Sequence, residues 1–352
     1  MLWLLSLLPF VAALVYRVYL NRGQTSASPD EGHYMRFASG WRPGRAYQDL
    51  VEGFLTRPKL EIPPTRYVFF AICVVLVAVL RKKPVPYRTL TWVASGSGAL
   101  AAWVAFAITR SVPVALLVAG SPLSLLLGRK ALQDTTGALT ILLGVWAVQA
   151  QNVWALGLAT FLAAGSREAL LLYVPALLVA WVLKTSHWVM GTGSTVVGVL
   201  GALGVYYALG GRRLGDIFRK LRKPTDYVLR VQAGAPHRVL IDLLFVSPVT
   251  TTAALAASLR APLWLTAFVT VALLAHAVVL PKNVRFLLAI DLGMRMFCAF
   301  LPGPWPWVVL SMGTMADVLL YRSFSQTKDP VTYDLVLKTG MFIPPEIPVK
   351  VK

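Results

Sequence analysis

Long apolar runs, broken by short polar joins, set the pattern of this chain. Leu2 to Leu20, Leu90 to Ile108, Val112 to Leu127, Thr136 to Val148, Val153 to Ala164, Leu170 to Leu183, Val189 to Leu209, Val239 to Ser258, Pro262 to Leu280, Val284 to Leu301 and Trp305 to Leu320 are all dominated by aliphatic and aromatic residues. Many approach the ~20 residues that a helix needs to cross a bilayer. They predict an all-α, polytopic transmembrane helix bundle of about 11–12 spans. Leu2 to Leu20 has no basic start and is flanked by Arg17 and Arg22, so it reads as a retained first span and not a signal peptide. Gln149-Ala150-Gln151-Asn152 closes a helical hairpin, and the glycines of Val189 to Leu209 suit close helix packing. Tyr67 to Leu80 is apolar but short; it fits a surface or half-inserted helix as well as a tilted span.

The polar stretches carry the remaining organisation. Residues 21–88 form a long first loop with short surface helices; Pro29 to Ser39 reads as one such helix, with Tyr34 and Phe37 on its apolar side and Gly40 at its end. Residues 210–238 form a second, basic loop that holds Arg212 and Arg213. Within it Leu214, Ile217, Phe218 and Leu221 recur at helical spacing, which predicts an amphipathic helix lying on a membrane surface. Residues 1–320 thus make one transmembrane domain, and 321–352 a polar tail.

Composition agrees. The chain has 352 residues, 57% hydrophobic and only 14% charged, against roughly 25% charged in an average globular protein. That excludes a soluble protein. The net charge is +19. In a lipid-buried chain this favours anionic membrane lipids or a phosphate-bearing lipid substrate as partners, and no nucleic acid. Cys73 and Cys298 lie in apolar runs without metal-ligand spacing. There is no phosphate-binding glycine loop, zinc motif or Ser-His-Asp order. Asp291 and Arg295 are spaced i,i+4 inside a run and are expected to pair. Asp242 and Asp317 lie near span ends, within reach of water. His276, alone in an apolar run, is expected to have a hydrogen-bonded packing role.

With only 15 acids in the chain, the adjacent pair Asp30-Glu31, just past the first span, stands out. Two readings are open. The pair fits the acidic centre of a catalytic site. It also fits a helix start, with Ser28 as N-cap, Pro29 in the first turn and Glu31 completing a capping box. Glu61 reads equally as a solvated loop acid, and Asp134 as an N-cap before Thr135-Thr136.

Pro29-Asp30-Glu31-x-x-Tyr34 after a first span resembles the first external loop of GT-C glycosyltransferases, in the branch of protein O-mannosyltransferases and lipid A aminoarabinose transferases. The resemblance continues in order. Glu61-x-Pro63 is similar to the acid-x-Pro that closes that loop. Gly128 to Asp134 resembles the join after the third span, Ser166-Arg167-Glu168 a later Thr-Lys-Glu or Thr-Lys-Gly turn, and Lys282 to Leu288 the basic-x-x-Arg-Tyr-Leu-Leu element. Ile62 stands where the family usually has His. The Asp134 join carries one acid where oligosaccharyltransferase relatives carry two, and the chain lacks the soluble C-terminal domain of many members.

The resemblance implies a membrane enzyme that moves a sugar from a polyprenyl-phosphate donor to an acceptor hydroxyl or amine, with inversion. Asp30 would be the general base, with Glu31 positioning it or the acceptor. Glu61, Asp134 and Tyr34 would support the acidic centre. Glu61 and Asp134 are also the candidate ligands of a divalent metal ion, an obligatory role for which the single acid at the join argues against. Arg167, Arg285, Arg212 and Arg213 would hold the lipid phosphate, since the planar guanidinium can engage two oxygens. The family's topology puts all these groups on one extracytoplasmic face. The positive-inside trend argues the other way for the basic loops: a full span at Tyr67 to Leu80 would leave Asp30 and Asp134 on opposite sides. A lipid-phosphate flippase and a non-catalytic subunit of a membrane complex are the alternative functions.

Overall fold

The computed structural model describes residues 2–20, 29–58, 61–79, 87–222, 235–279 and 284–325. Among them it is all helical. The helices are α1 (Leu2–Leu20), α2 (Pro29–Gly40), α3 (Arg45–Thr56), α4 (Val68–Val79), α5 (Tyr87–Thr109), α6 (Val112–Ala119), α7 (Pro122–Gly128), α8 (Asp134–Gln149), α9 (Val153–Ser166), α10 (Val174–Thr185), α11 (Trp188–Ala208), α12 (Leu214–Arg222), α13 (Arg238–Val246), α14 (Pro248–Ser258), α15 (Leu263–Val278), α16 (Leu288–Phe297) and α17 (Trp305–Ser325). Tight 3-10 turns at Glu168–Tyr173 and Val284–Leu287 lead into α10 and α16.

Not every apolar run becomes one straight span. Among the described residues, α5, Glu168–Thr185 and α11 are long and apolar enough to cross a bilayer, and α13 with α14 passes that test as a pair bent by 120°. The breaks have local causes. Pro248 opens α14, where it has no N–H to continue the preceding helix. The run from Val112 to Leu127 parts at Gly120 and Ser121; the Ser124 N–H donates to Ser121 Oγ at 3.1 Å, and Pro122 starts α7. The chain is thus an integral membrane helix bundle in which, among the described residues, α13 and α14 form one bent candidate span and the run from Val112 to Leu127 is split into two short helices.

Close helix approach follows the glycines. A Cβ on Gly198 of α11 would lie 2.4 Å from the Gly157 carbonyl of α9, so these backbones touch only because both positions are glycine. Gly210, at φ 99, sits against the Gly44 carbonyl, and the Gly44 N–H donates to the Leu209 carbonyl at 2.8 Å. This fastens the loop before α3 to the end of α11. The helix read at Pro29 to Ser39 is α2, and its Tyr34 and Phe37 are buried. The basic amphipathic helix is α12, with Ile217 buried against the bundle; residues 223–234 of that loop, and the tail beyond 325, lie outside the described residues.

A polar network lies inside the bundle. Arg295 donates from Nε to Asp291 at 3.1 Å and from Nη1 to Asp317 at 3.0 Å and to the Leu117 carbonyl at 2.9 Å; Ser247 takes a further bond. The expected i,i+4 pair is present, but Asp317 and Asp242 do not reach water. Both are buried: Asp317 is drawn onto Arg295, and Asp242 pairs with Arg238, one turn earlier, at 3.7 Å. Arg17, read as a flank of the first span, is buried too and donates to Ser124 Oγ and the Ser124 carbonyl, each at 2.8 Å. Removing one partner of such a pair leaves an uncompensated buried charge, which costs ~3–5 kcal/mol. Arg295→Ala is therefore expected to lower the unfolding temperature of the detergent-solubilised protein steeply, and far more than Arg213→Ala at the surface.

Candidate functional site

The first turn of α2 is held by a buried carboxylate. Glu31 is 0% exposed. Its Oε1 accepts from the Ala131 N–H at 2.7 Å and from the Tyr87 hydroxyl at 2.7 Å, and Lys130 Nζ lies 3.5 Å from Oε2. One side chain thus ties α2 to the start of α5 and to the join between α7 and α8. Asp134 follows Ala131 by three residues, at most ~11 Å of chain. Helix α4 has 12 residues, or ~18 Å at 1.5 Å each, short of the ~30 Å hydrocarbon core. The Asp30-Glu31 turn and the Asp134 join therefore lie at the same end of the bundle, and the topology that parts them by the bilayer does not fit.

A second layer forms around Arg66, a residue that sequence reasoning passed over. It follows Pro63-Pro64, and the Pro64 carbonyl accepts from the Tyr47 hydroxyl. Arg66 grips Glu168 with two prongs, Nε donating to Oε2 at 2.8 Å and Nη2 to Oε1. Its Nη1 donates to the Tyr34 hydroxyl at 3.4 Å, while the Tyr34 ring stacks on Phe70 with centroids 5.7 Å apart. Burial alone would lower the Arg66 pKa. The Glu168 carboxylate, and after it Tyr34, outweigh this and hold it above the ordinary arginine value. Arg66 is thus a fixed cation linking α2, the loop before α4 and the turn before α10.

The third layer is centred on Asp134. Arg167 Nη1 donates to Asp134 Oδ1, and Arg285 Nε approaches the same oxygen at 3.7 Å. Both guanidinium groups face Phe286, with their central carbons 4.3 and 5.9 Å from the ring centroid, within the range of cation–π attraction. Asp134 Oδ2 has no hydrogen-bond partner among the described residues. Gln133, Asp134, Arg167, Arg285 and Phe286 line a cavity of about 20 Å³ whose wall includes Tyr173 and His276. His276 Nδ1 bonds the Ala272 carbonyl at 2.9 Å, the packing role expected, and its ring also forms part of this wall.

The candidate residues divide accordingly. Glu31, Tyr34, Asp134, Arg167 and Arg285 belong to one connected region. Asp30 is in the first turn of α2, but its side chain lies outside the described residues. Glu61 faces Arg36 at 3.8 Å. Arg212 and Arg213 are not brought to the Asp134 region. Arg213 is taken up by Glu52 at 3.1 Å and Asp216 at 2.9 Å, and the contact of Arg212 is made by its carbonyl, which accepts from Tyr206. Among the described residues no group of three or more His, Cys, Asp or Glu could hold a metal ion. Glu61 and Asp134 each face arginine, a poor setting for a divalent cation.

Glu31 carries a structural load beyond its adjacency to Asp30. Hydrogen bonds to a charged group contribute ~1.5–3 kcal/mol each. Glu31→Gln keeps an acceptor for Ala131 and Tyr87, whereas Glu31→Ala leaves both donors unpaired. Thermal unfolding is expected to show a small loss for Gln and a loss of several degrees for Ala.

No protein-family description matches the chain, and no curated protein matches it in sequence. Its fold is similar to that of ArnT, the aminoarabinose transferase of the GT-C glycosyltransferases, in the crystal structure of the protein from Cupriavidus metallidurans bound to undecaprenyl phosphate. The TM-score is 0.61 at 14% identity, over 90% of this chain; the chain spans 63% of the ArnT chain.

Proposed function

We propose that the protein is a membrane glycosyltransferase that takes a sugar from a polyprenyl-phosphate donor. The observation that carries this reading is the pair Arg167 and Arg285, converging on one carboxylate and backed by one aromatic ring, beside the helix that bears Asp30 and Glu31. Two arginines that converge on one carboxylate can also engage the oxygens of a phosphate. The likeness to ArnT, whose structure holds undecaprenyl phosphate, supports a lipid phosphate as that ligand.

In the proposed reaction the acceptor hydroxyl or amine attacks the anomeric carbon, and the bond from that carbon to the phosphate oxygen breaks. The electron pair leaves with the polyprenyl phosphate, where Arg167 and Arg285 stabilise the added charge. A well-placed donor of this kind contributes roughly 10²–10³ in rate. The acceptor's proton passes to a carboxylate, for which Asp30 is the candidate, a base role worth about 10²–10⁴. Attack from the face opposite the phosphate inverts the anomeric centre. Glu31, buried and already bonded by three groups, serves as the anchor of the Asp30 turn and not as the base. Arg66 and Glu168 hold Tyr34 and the turn before α10 in place. The acceptor is a protein, lipid or glycan presented on the extracytoplasmic side, the side on which the family's topology puts this face. A resident metal ion has no part in the scheme.

The test is sugar transfer by the purified full chain from radiolabelled polyprenyl-phosphate sugars to a panel of acceptors. Asp30→Asn is expected to abolish transfer while leaving donor binding near normal. Arg167→Ala and Arg285→Ala are each expected to lower transfer by about 10²-fold or more and to weaken binding of bare polyprenyl phosphate. Arg213→Ala should change neither by more than about twofold. Full turnover by Asp30→Asn would discard the base assignment, and undiminished lipid binding by both arginine variants would discard the phosphate site.

A further inference from the structure

Gln133 stands at the N-cap of α8, yet its side chain makes no capping hydrogen bond. Ser, Asp or Asn at that position would stabilise the helix by bonding the free N–H groups of its first turn. Gln133 does not, and its side chain is directed elsewhere. The residue is 1% exposed, and neither its Oε1 nor its Nε2 has a hydrogen-bond partner among the described residues. A carboxamide buried with both ends unpaired opposes folding. It lines the cavity shared by Asp134, Arg167 and Arg285, beside the likewise unpartnered Asp134 Oδ2. Nothing in the fold is gained from a glutamine here.

We infer that Gln133 is a specificity-determining residue that recognises the donor's sugar through a pair of neighbouring hydroxyl groups. The inference rests on the glycosyl-transfer reading and adds to it the group that reads the sugar. The chemistry of the carboxamide selects the ligand. It presents a donor and an acceptor side by side in one plane. A phosphate oxygen would satisfy Nε2 and leave Oε1 unpaired, and an ammonium would do the reverse. A vicinal diol, each of whose hydroxyls can donate and accept, satisfies both ends at once. The position agrees: the sugar is covalently joined to the phosphate that Arg167 and Arg285 would hold, so its ring falls within reach of the residue next to Asp134. A cavity of about 20 Å³ has room for one water and not for a pyranose. Its walls therefore part on donor binding. The competing account is a structural water bridging Gln133 and Asp134, with no part in recognition.

The two accounts separate in one experiment on the full chain. Thermal unfolding in detergent is measured without lipid, with bare decaprenyl phosphate, and with decaprenyl-phosphate mannose, glucose and galactose, for the wild type and for the nearly isosteric Gln133→Met. Without lipid, the Met variant is expected to unfold at or above the wild-type temperature, because an unpaired amide has been removed. Bare decaprenyl phosphate should stabilise both proteins equally. The best sugar-bearing donor should add further stabilisation to the wild type alone, its affinity for the Met variant falling about tenfold, to that of the bare lipid. If the Met variant does not fold, Gln133→Asn, which keeps the amide but draws it back by one carbon, should lose the sugar increment in the same way. An equal sugar increment in wild type and variant overturns the inference, as does a wild type to which no sugar adds stability. A lower unfolding temperature without lipid, with the increment kept, assigns Gln133 to a bridging water instead. If bare decaprenyl phosphate stabilises neither protein, it is the lipid-phosphate reading itself that fails.

Discussion

A single buried carboxylate makes the site region possible. Glu31 is sealed from solvent, and its stability there depends on the Ala131 N–H, the Tyr87 hydroxyl and the Lys130 ammonium. A charge placed in so dry a position without partners would be neutralised or expelled. With them it becomes a bolt. It pins the first helix after α1 onto the start of α5 and the α7–α8 join, 100 residues away in sequence. Asp30 precedes this bolt and Asp134 lies three residues beyond its far end. That the two acids lie at the same end of the bundle follows from that one contact.

The surrounding electrostatics are arranged in opposed pairs. Arg66 holds Glu168, and Arg167 and Arg285 hold Asp134. Glu168 and Arg167 are adjacent in the chain, so the turn before α10 offers an acid to one neighbour and a base to the other. At Asp134 two guanidinium groups meet one carboxylate, one of whose oxygens has no hydrogen-bond partner among the described residues. The network around Arg295 is different in kind. It joins Asp291, Asp317, Ser247 and a backbone carbonyl inside the bundle, and its role is to hold α16 against α17.

How much of this was legible in the sequence depended on distance along the chain. The helical bundle was legible from the apolar runs, and α2 and α12 from their short-range periodicity. Asp291 and Arg295 announced themselves by i,i+4 spacing, and the polar joins at 128–134 and 166–168 by interrupting lipid-compatible chain. Contacts between distant residues left no such trace. Arg66 meets Glu168 from 102 residues away, and nothing local marks it except the proline pair before it. Asp317 looked like a span-end acid because its partner is on another helix. Arg212 and Arg213 looked like phosphate ligands because their loop is basic, but Glu52 on α3, invisible from that loop, takes up Arg213. Gln133 lay in the polar join at 128–134, but nothing in the sequence singled it out there. Its meaning lies in what it fails to bond, which only the folded arrangement reveals.

The central claim is that a lipid phosphate is held where Arg167 and Arg285 now share Asp134, and the most direct measurement of it is covalent mapping. A polyprenyl phosphate bearing a photoreactive group next to the phosphate would be activated on the protein in detergent, and the labelled peptides sequenced. The account predicts label on 131–138, 166–173 and 284–289, displaced by excess unlabelled undecaprenyl phosphate. Label confined to the cleft lined by Glu52 of α3 and Lys220 of α12, or to the groove lined by Tyr16 of α1 and Met315 of α17, would contradict it.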